Sequence, residues 1–197
     1  MRLNPKYIQI FGDAVIPLLG FFIWNWSLYF ILLFYFLDLL ANEGIIHLKS
    51  RRTAIFQQKP EQTRKWIIWG MLSLTALIVA LAMVHFAMIF IVPDINFFQE
   101  MRGFWNYEEM GIKQGYVLVP LILIVSFQQY RTTFLLSAKY RTARVGQLWK
   151  THVQALIVII AFAGVHLSLG YFYQFSEMVY VLSIVVVSTL YKLRFSE

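Results

Sequence analysis

Four histidines are the residues whose chemistry stands out first in this sequence. His47 pairs with His152, and His85 with His166, at matching depths if the chain crosses a bilayer as helices. On the helix that carries both, His152 and His166 lie about 40° apart around the axis and roughly 21 Å apart along it. Two b-type haems would need such pairs, because each iron takes two axial imidazoles. A bare metal site is the alternative, although a histidine pair leaves zinc short of ligands.

Ionisable residues inside apolar stretches are the second group, and these are Asp13, Asp38, Glu43 and Arg131. A charge at membrane depth is costly, so each is a candidate for ion or proton passage or for a polar core contact. Asp38 lies near the middle of its stretch and could form a proton path with Asp13. The structural alternative buries Asp38 against Asn42, a tyrosine or Arg131. Arg131 could instead extend to the interface or pair with Glu43.

Motifs for other catalytic chemistry are absent. The chain has no cysteine, and it contains neither Gly-x-Ser-x-Gly, nor His-Glu-x-x-His, nor a phosphate-binding glycine loop. The paired carboxylates Glu108 and Glu109 lie in a polar segment without a matching histidine motif, which is typical of solvated loop acids. Whether the chain is an enzyme stays open, and the lack of a complete motif favours a non-catalytic function.

The composition predicts a membrane environment for these residues. Of the 197 residues, 59% are hydrophobic and only 14% are charged, whereas about a quarter of a soluble domain is charged. A soluble fold could not cover that much apolar surface with polar groups. The composition therefore predicts an all-α, polytopic transmembrane bundle formed by one domain, residues 1–197.

Six spans are predicted from stretches that approach the roughly 20 apolar residues needed to cross a bilayer. They cover residues 7–23, 26–48, 66–92, 115–137, 152–173 and 178–193. The first two form one long apolar stretch, which residues 24–26 interrupt with two tryptophans and an asparagine. Because tryptophan prefers the membrane–water interface, we expect a tight turn there. The alternative is a single span over residues 14–37, which gives five helices in all.

The charge distribution predicts the orientation. Most of the 17 Lys and Arg residues lie in residues 49–65, in residues 138–151 and near the two ends, whereas residues 93–114 carry mainly acids. Positively charged loops stay in the cytoplasm, which with six spans places both termini there, in a multi-pass protein of the inner membrane. The net charge of +7 therefore needs no nucleic acid, and anionic lipid heads suffice.

The N-terminal hairpin carries a family resemblance. The motifs are residues 16–20 (IPLLG), 26–28 (WSL) and 35–38 (YFLD), followed by a basic end at Lys49. They resemble those of a family of small, uncharacterised bacterial integral membrane proteins, in which Phe36 and Asp38 would be tryptophan and glutamate. His85 and His152 look like later histidine positions of that family. The resemblance implies a helical membrane protein and draws attention to Asp38, His85 and His152, without implying an activity.

Three functions follow as hypotheses. The absence of motifs favours an accessory subunit, beside another membrane protein or a second copy of the chain, or a conduit for a small solute or ion. The paired histidines favour a haem b electron-transfer protein. Asp38 favours a proton-coupled carrier.

Overall fold

The chain folds into a bundle of helices, seen in a computed structural model that describes residues 5–109, 112–173 and 175–195. Seven α-helices lie in these ranges: α1 Pro5–Phe22, α2 Leu28–Gln57, α3 Pro60–Ile91, α4 Phe97–Asn106, α5 Gln114–Tyr130, α6 Val145–Phe172 and α7 Glu177–Phe195. A short antiparallel ladder pairs β1 (Glu108–Glu109) with β2 (Ile112–Lys113). A π-helical turn, Arg131–Leu135, extends α5, and a 3-10 turn, Lys139–Arg141, follows it.

The predicted all-α class is confirmed, and four helical segments are long and apolar enough to cross a membrane. These are α2, α3, α6 and the segment Gly115–Leu135, which joins α5 to its π turn. The apolar parts of α1 and α7, Ile10–Phe22 and Glu177–Tyr191, are shorter. The outward faces of α3 and α6 expose large apolar side chains, among them Met71, Ile78, Ile157 and Val165. Such faces suit lipid contact.

The helix break predicted at residues 24–26 is present. Asn25 adopts a left-handed backbone conformation with φ 51°, and the amide of Trp26 donates to the carbonyl of Gly20 over 2.9 Å. Ser27 then caps α2 by accepting a hydrogen bond from the amide of Phe30 over 3.1 Å. Trp26 itself is buried against the ring of Phe30, at 4.3 Å between centroids. The polar turn and its tryptophan therefore divide the apolar stretch into α1 and α2.

The helices extend further into the basic segments than the sequence predicted. The second and third spans were placed at residues 26–48 and 66–92, yet α2 continues to Gln57 and α3 starts at Pro60. Lysine, arginine and glutamine are good helix formers, so charge ends the apolar span without ending the helix. Gln58, with φ 50°, and the proline at the first position of α3 make the actual break.

Helix α2 lies at the centre of the bundle and contacts every other helix of it. Helices α3 and α6 pack along each other, and α1 packs mainly against α7. The largest hydrophobic cluster lies where α2 meets α4 and α7, and it includes Trp26, Tyr29, Phe30, Phe104 and Tyr180. This cluster fixes the part of α2 that precedes its polar residues.

The two basic segments meet at one end of the bundle, which we call the basic end. The side-chain amide of Gln57 donates to the carbonyl of Ala143 over 2.8 Å, and the amide of Val145 donates to the side chain of Gln62 over 3.2 Å. Residues 49–65 and 138–151 therefore share this end, as the charge pattern predicts. The opposite end carries α4, and we call it the α4 end.

Candidate functional site

A cavity of about 690 Å³ runs through the bundle along α2. Its lining on α2 extends from Leu28 to Lys49, a rise of about 32 Å. That length is close to the thickness of the hydrocarbon core, roughly 30 Å. The remaining walls come mainly from α6 and α7, with contributions from α1, α3, the end of α5 with its π turn, and residues 139–144. Sites for small organic ligands have volumes of about 300–1,000 Å³, so the cavity is large enough for such a ligand.

The polarity of the lining changes along the cavity. Toward the α4 end it is mostly aliphatic and aromatic, with Leu28, Leu32, Phe36, Met88 and Phe162. Toward the basic end it gains amides, hydroxyls and three cations, Lys49, Lys139 and Arg144. Among the described residues, Asp38 is the single carboxylate of the lining. The cavity therefore combines an apolar part with an electropositive part.

Asp38 lies in the wall of this cavity, on α2 between its apolar and basic parts. Its side chain is half-buried, and Asn42, one helical turn further along α2, also lines the cavity. The sequence predicted either a proton path or a structural polar contact for Asp38. Both predictions stand, because a residue of the lining can serve in either way.

The π turn after α5 contributes a second polar part of the lining. The hydroxyl of Thr133 donates to the carbonyl of Gln129 over 2.7 Å, and both residues line the cavity. Isolated π turns are frequent at functional sites, since the wider turn redirects side chains. Here Gln129 and Thr133 add polar groups of α5 and its π turn to the lining.

Beside the cavity, the carboxylate of Glu43 accepts two hydrogen bonds and has a second imidazole close by. Glu43 is 5% exposed. One oxygen, Oε2, accepts from Oγ of Ser73 over 2.9 Å and from Nε2 of His152 over 2.5 Å. The other, Oε1, lies 3.3 Å from Nε2 of His47. This arrangement, which we call the Glu43 network, joins α2, α3 and α6, and its His152 also lines the cavity.

Trp66 fixes the protonation of His47 in this network. Its indole N–H faces Nδ1 of His47 at 3.4 Å, and because an indole N–H only donates, Nδ1 accepts. The proton of neutral His47 is then on Nε2, which lies 3.3 Å from Oε1 of Glu43 without hydrogen-bond geometry. Gly70 leaves room for this ring, since a Cβ there would lie 2.7 Å from Cε1 of His47.

The same proton argues against a metal ion at the Glu43 network. A ligating Nε2 would need its lone pair, whereas Trp66 leaves a proton on that nitrogen of His47. Among the described residues, no group of three His, Cys, Asp or Glu side chains is arranged to hold a metal ion. The network is instead suited to hold a buried negative charge.

The histidines of the second predicted pair have other partners. Nε2 of His85 lies 2.9 Å from the hydroxyl of Tyr29, and its Nδ1 lies 2.8 Å from the carbonyl of Leu81. Nε2 of His166 lies 2.9 Å from Oγ of Ser183. His85 packs against aromatic rings of α2 and α4, whereas His166 lines the cavity.

The predicted haem pairing would disturb all four of these histidines. His85 and His166 would have to leave Tyr29 and Ser183, and His47 and His152 would have to leave Glu43. None of these contacts places two imidazoles on opposite sides of a space that could hold a haem. Haem b stays a prediction, which an absorption spectrum of the purified protein would test.

The two remaining predicted residues lie apart from the Glu43 network. Asp13 is half-buried on α1, and its backbone carbonyl accepts from the hydroxyl of Tyr35 over 3.0 Å. Arg131 is exposed at the start of the π turn. Of the two partners considered for Arg131, Glu43 is bound to histidines instead.

Ser73 and Trp66 are functional-site residues that the sequence did not identify. Both lie on α3 and reach α2 only through helix packing. One signal was present, however, because Glu43 and His47 are four residues apart and so share a helix face.

The basic end also favours negative charge on its surface. The guanidinium of Arg52 lies 5.0 Å from the centroid of the Tyr140 ring. A hydrogen bond from Arg141, assisted by the charges of Arg141 and Arg52, lowers the pKa of the Tyr140 hydroxyl. Positive charge at this end therefore stabilises an anion beside it.

Comparison with known proteins identifies no relative of this chain. The sequence matches no family model, and no curated protein or solved structure is detectably similar to it. The resemblance of the N-terminal motifs therefore stays a prediction, and functional inference depends on the cavity and the Glu43 network.

Proposed function

We propose that this protein is a membrane-embedded carrier or conduit whose small solute occupies the cavity along α2. The observation that supports this most directly is the cavity itself, about 690 Å³ in volume and with an acid and three cations in its lining. An accessory subunit would bury an apolar face against another membrane protein or a second copy of the chain, and it would need no such cavity. The cavity therefore favours the conduit hypothesis.

The proposal includes six spans, with both termini in the cytoplasm of a bacterial inner membrane. Helices α1 and α7 have 18 and 19 residues, about 27–29 Å of helix, although their apolar parts, Ile10–Phe22 and Glu177–Tyr191, rise only about 20–23 Å against a hydrocarbon core of roughly 30 Å. They pack mainly against each other and against the central α2. Because the two helices pack in this way, we place them across the membrane, beside the four longer apolar segments.

Cysteine accessibility tests the proposed solute path, because the chain has no native cysteine. Ala155 lines the cavity on α6, whereas Ile157 lies about 200° around the same helix and is 56% exposed on the outer face. We expect Ala155→Cys, in lipid nanodiscs, to react with N-ethylmaleimide, and Ile157→Cys to stay unmodified. A thiol reacts as its thiolate, which forms in water and not in lipid. Mass spectrometry measures the extent of modification.

The control is modification of both variants after denaturation. Equal and slow reaction of the two variants in nanodiscs would mean that water does not reach the cavity, and it would contradict the proposed path. Rapid reaction of Ala155→Cys alone supports it.

A proton-coupled carrier is a narrower form of this proposal. Asp38 supports it, because an acid in the wall of the cavity can change its protonation as a solute passes. His152 supplies a second titratable group in the same wall.

A further inference from the structure

We propose that the solute is an amphipathic anion, whose acidic head binds at Lys49, Lys139 and Arg144 and whose hydrocarbon part extends toward the α4 end. This inference deepens the proposed function and depends on it. The head chemistry is that of a phosphate or carboxylate, either on a bilayer lipid or on a single-chain amphiphile that enters from water.

The charge of the lining favours an anion. Three cations face a single carboxylate, Asp38, among the described residues of the lining. In the described part of the chain, no carboxylate lies within ion-pair distance of Lys49, Lys139 or Arg144. A cationic solute would meet net repulsion on its way to Asp38, whereas an anionic head would gain charge-assisted hydrogen bonds.

Lys49 is the cation best placed to bind such a head. Its side chain is half-buried, and its ammonium lies 5.8 Å from the centroid of the Phe134 ring. The positive charge of Lys139 acts on the same ammonium. Lys139 is exposed whereas Lys49 is half-buried; the two like charges repel each other, and a bound anion relieves that repulsion.

The other half of the cavity favours a hydrocarbon chain. From Leu28 to Phe36 on α2, and at Met88 on α3, the lining is largely aliphatic and aromatic. The polar groups of this half are few, and both ring nitrogens of His166 already have partners, so a small polar solute would replace only part of its hydrogen bonds to water there. An alkyl chain, in contrast, gains free energy with each methylene that it moves out of water. The two halves together match a molecule with one charged end.

Protection of the Ala155→Cys thiol tests this inference. The protein is placed in phosphatidylcholine nanodiscs and treated with N-ethylmaleimide in the presence of dodecyl phosphate. The matched probe is dodecyltrimethylammonium, which has the same chain and the opposite charge. We expect dodecyl phosphate to slow modification at concentrations at least about tenfold lower than its cationic counterpart, as one or two charge-assisted hydrogen bonds would give.

Charge variants connect the protection to the proposed residues. In the Ala155→Cys background, Lys49→Gln with Lys139→Gln should raise the protecting concentration of dodecyl phosphate about tenfold or more. Lys150→Gln is the control, because Lys150 is exposed on α6 and lies outside the lining. It removes a positive charge from the same end of the bundle and should leave protection unchanged. Equal effects of the double variant and the control would overturn the inference.

The remaining outcomes separate this inference from the function on which it depends. One outcome is that the Ala155→Cys thiol reacts while both amphiphiles protect it equally, or while neither protects it. In either case the inference of an anionic solute is wrong, and the proposed solute path is retained. If that thiol does not react at all, the solute path itself fails. Protection by phosphatidylglycerol built into the nanodisc would identify a lipid as the anion, and protection by dodecyl phosphate alone would identify a single-chain amphiphile.

Discussion

Glu43 shows how a single buried carboxylate organises the basic half of the bundle. A buried charge is tolerated only when donors replace its hydration. Here the donors are Ser73 on α3 and His152 on α6, while His47 on α2 lies 3.3 Å from the other oxygen. Because each donor lies on a different part of the chain, the network fixes how α2, α3 and α6 meet. It also holds the ring of His152 against the cavity wall.

Replacement of Glu43 should therefore destabilise the protein. The Glu43→Gln substitution removes the negative charge. It also places an amide N–H opposite groups that themselves donate. We expect a loss of about 3 kcal/mol, as is typical when buried hydrogen-bonding groups are left unsatisfied beside a former charge. The measurement is the Tm of the detergent-solubilised protein. The control is Glu61→Gln, which removes an exposed carboxylate paired with Lys65 on α3. A Tm for Glu43→Gln no lower than that of the control would show that the network is not structural.

Asp38 provides the corresponding test for proton coupling. Asp38→Asn preserves the shape of the side chain and removes its charge, and the yield and Tm of the variant are measured first, so that a structural loss is distinguished from a loss of proton flux. If the carboxyl carries a proton through the cavity, the variant should abolish proton entry into liposomes driven by a potassium diffusion potential. A dye trapped in the liposomes reports the internal pH. Wild-type protein that moves no protons in this assay would contradict a proton path through Asp38, and equal flux in the variant would assign the path elsewhere.

At the scale of elements, the turn between α1 and α2 depends on a close approach of backbone to ring. Gly20 lies beneath Trp26, and a Cβ at this glycine would lie 2.2 Å from the indole ring. Trp26 is buried in the aromatic cluster and cannot give way freely. The turn therefore requires glycine at this position for steric reasons.

Gly20→Ala should accordingly weaken the α1–α2 hairpin. We expect a loss of about 1–3 kcal/mol, which is typical of an overpacked site, and a lower Tm. Gly12 offers a matched control on the same helix, because a Cβ there meets nothing within 4 Å. Gly12→Ala should raise helix stability by roughly 0.5–1 kcal/mol. If both variants changed the Tm by the same amount, the close contact between Gly20 and Trp26 would not contribute to stability.

The sequence predicted some elements well because their signals are local. The break beside Trp26 depends on the residues that form it, and the apolar stretches of α3 and α6 are long enough to be recognised alone. The Glu43 network could not be predicted in this way. Its contacts join residues 30 and 109 positions apart, and only the packing of three helices brings them together. The cavity could not be predicted either, because it depends on how closely α7 packs beside α2, and these two helices are distant in the sequence.

At the scale of the whole molecule, the position of the two termini depends on how many helices cross the membrane. With six spans, the turn at residues 58–59 and both termini face the cytoplasm, and residues 23 and 94 face the opposite side. With only four spans, α1 and α7 would not cross, and both termini would lie on the side of residue 23. The two arrangements differ in the position of the termini, and this difference can be measured.

We therefore expect single cysteines to report six spans in intact cells. Ile23→Cys and Asp94→Cys should react with a membrane-impermeant sulfonated maleimide, because both positions are exposed at helix ends. Lys59→Cys, Asn4→Cys and Ser196→Cys should react only after the membrane is opened. Reaction of all five after denaturation confirms that each thiol is intact. Modification of Asn4→Cys and Ser196→Cys from outside, with Lys59→Cys still protected, would establish four spans and leave α1 and α7 on the outer surface. In that case the wall that α7 gives to the cavity would face water, and the apolar part of the proposed site would lose its lipid-like surroundings.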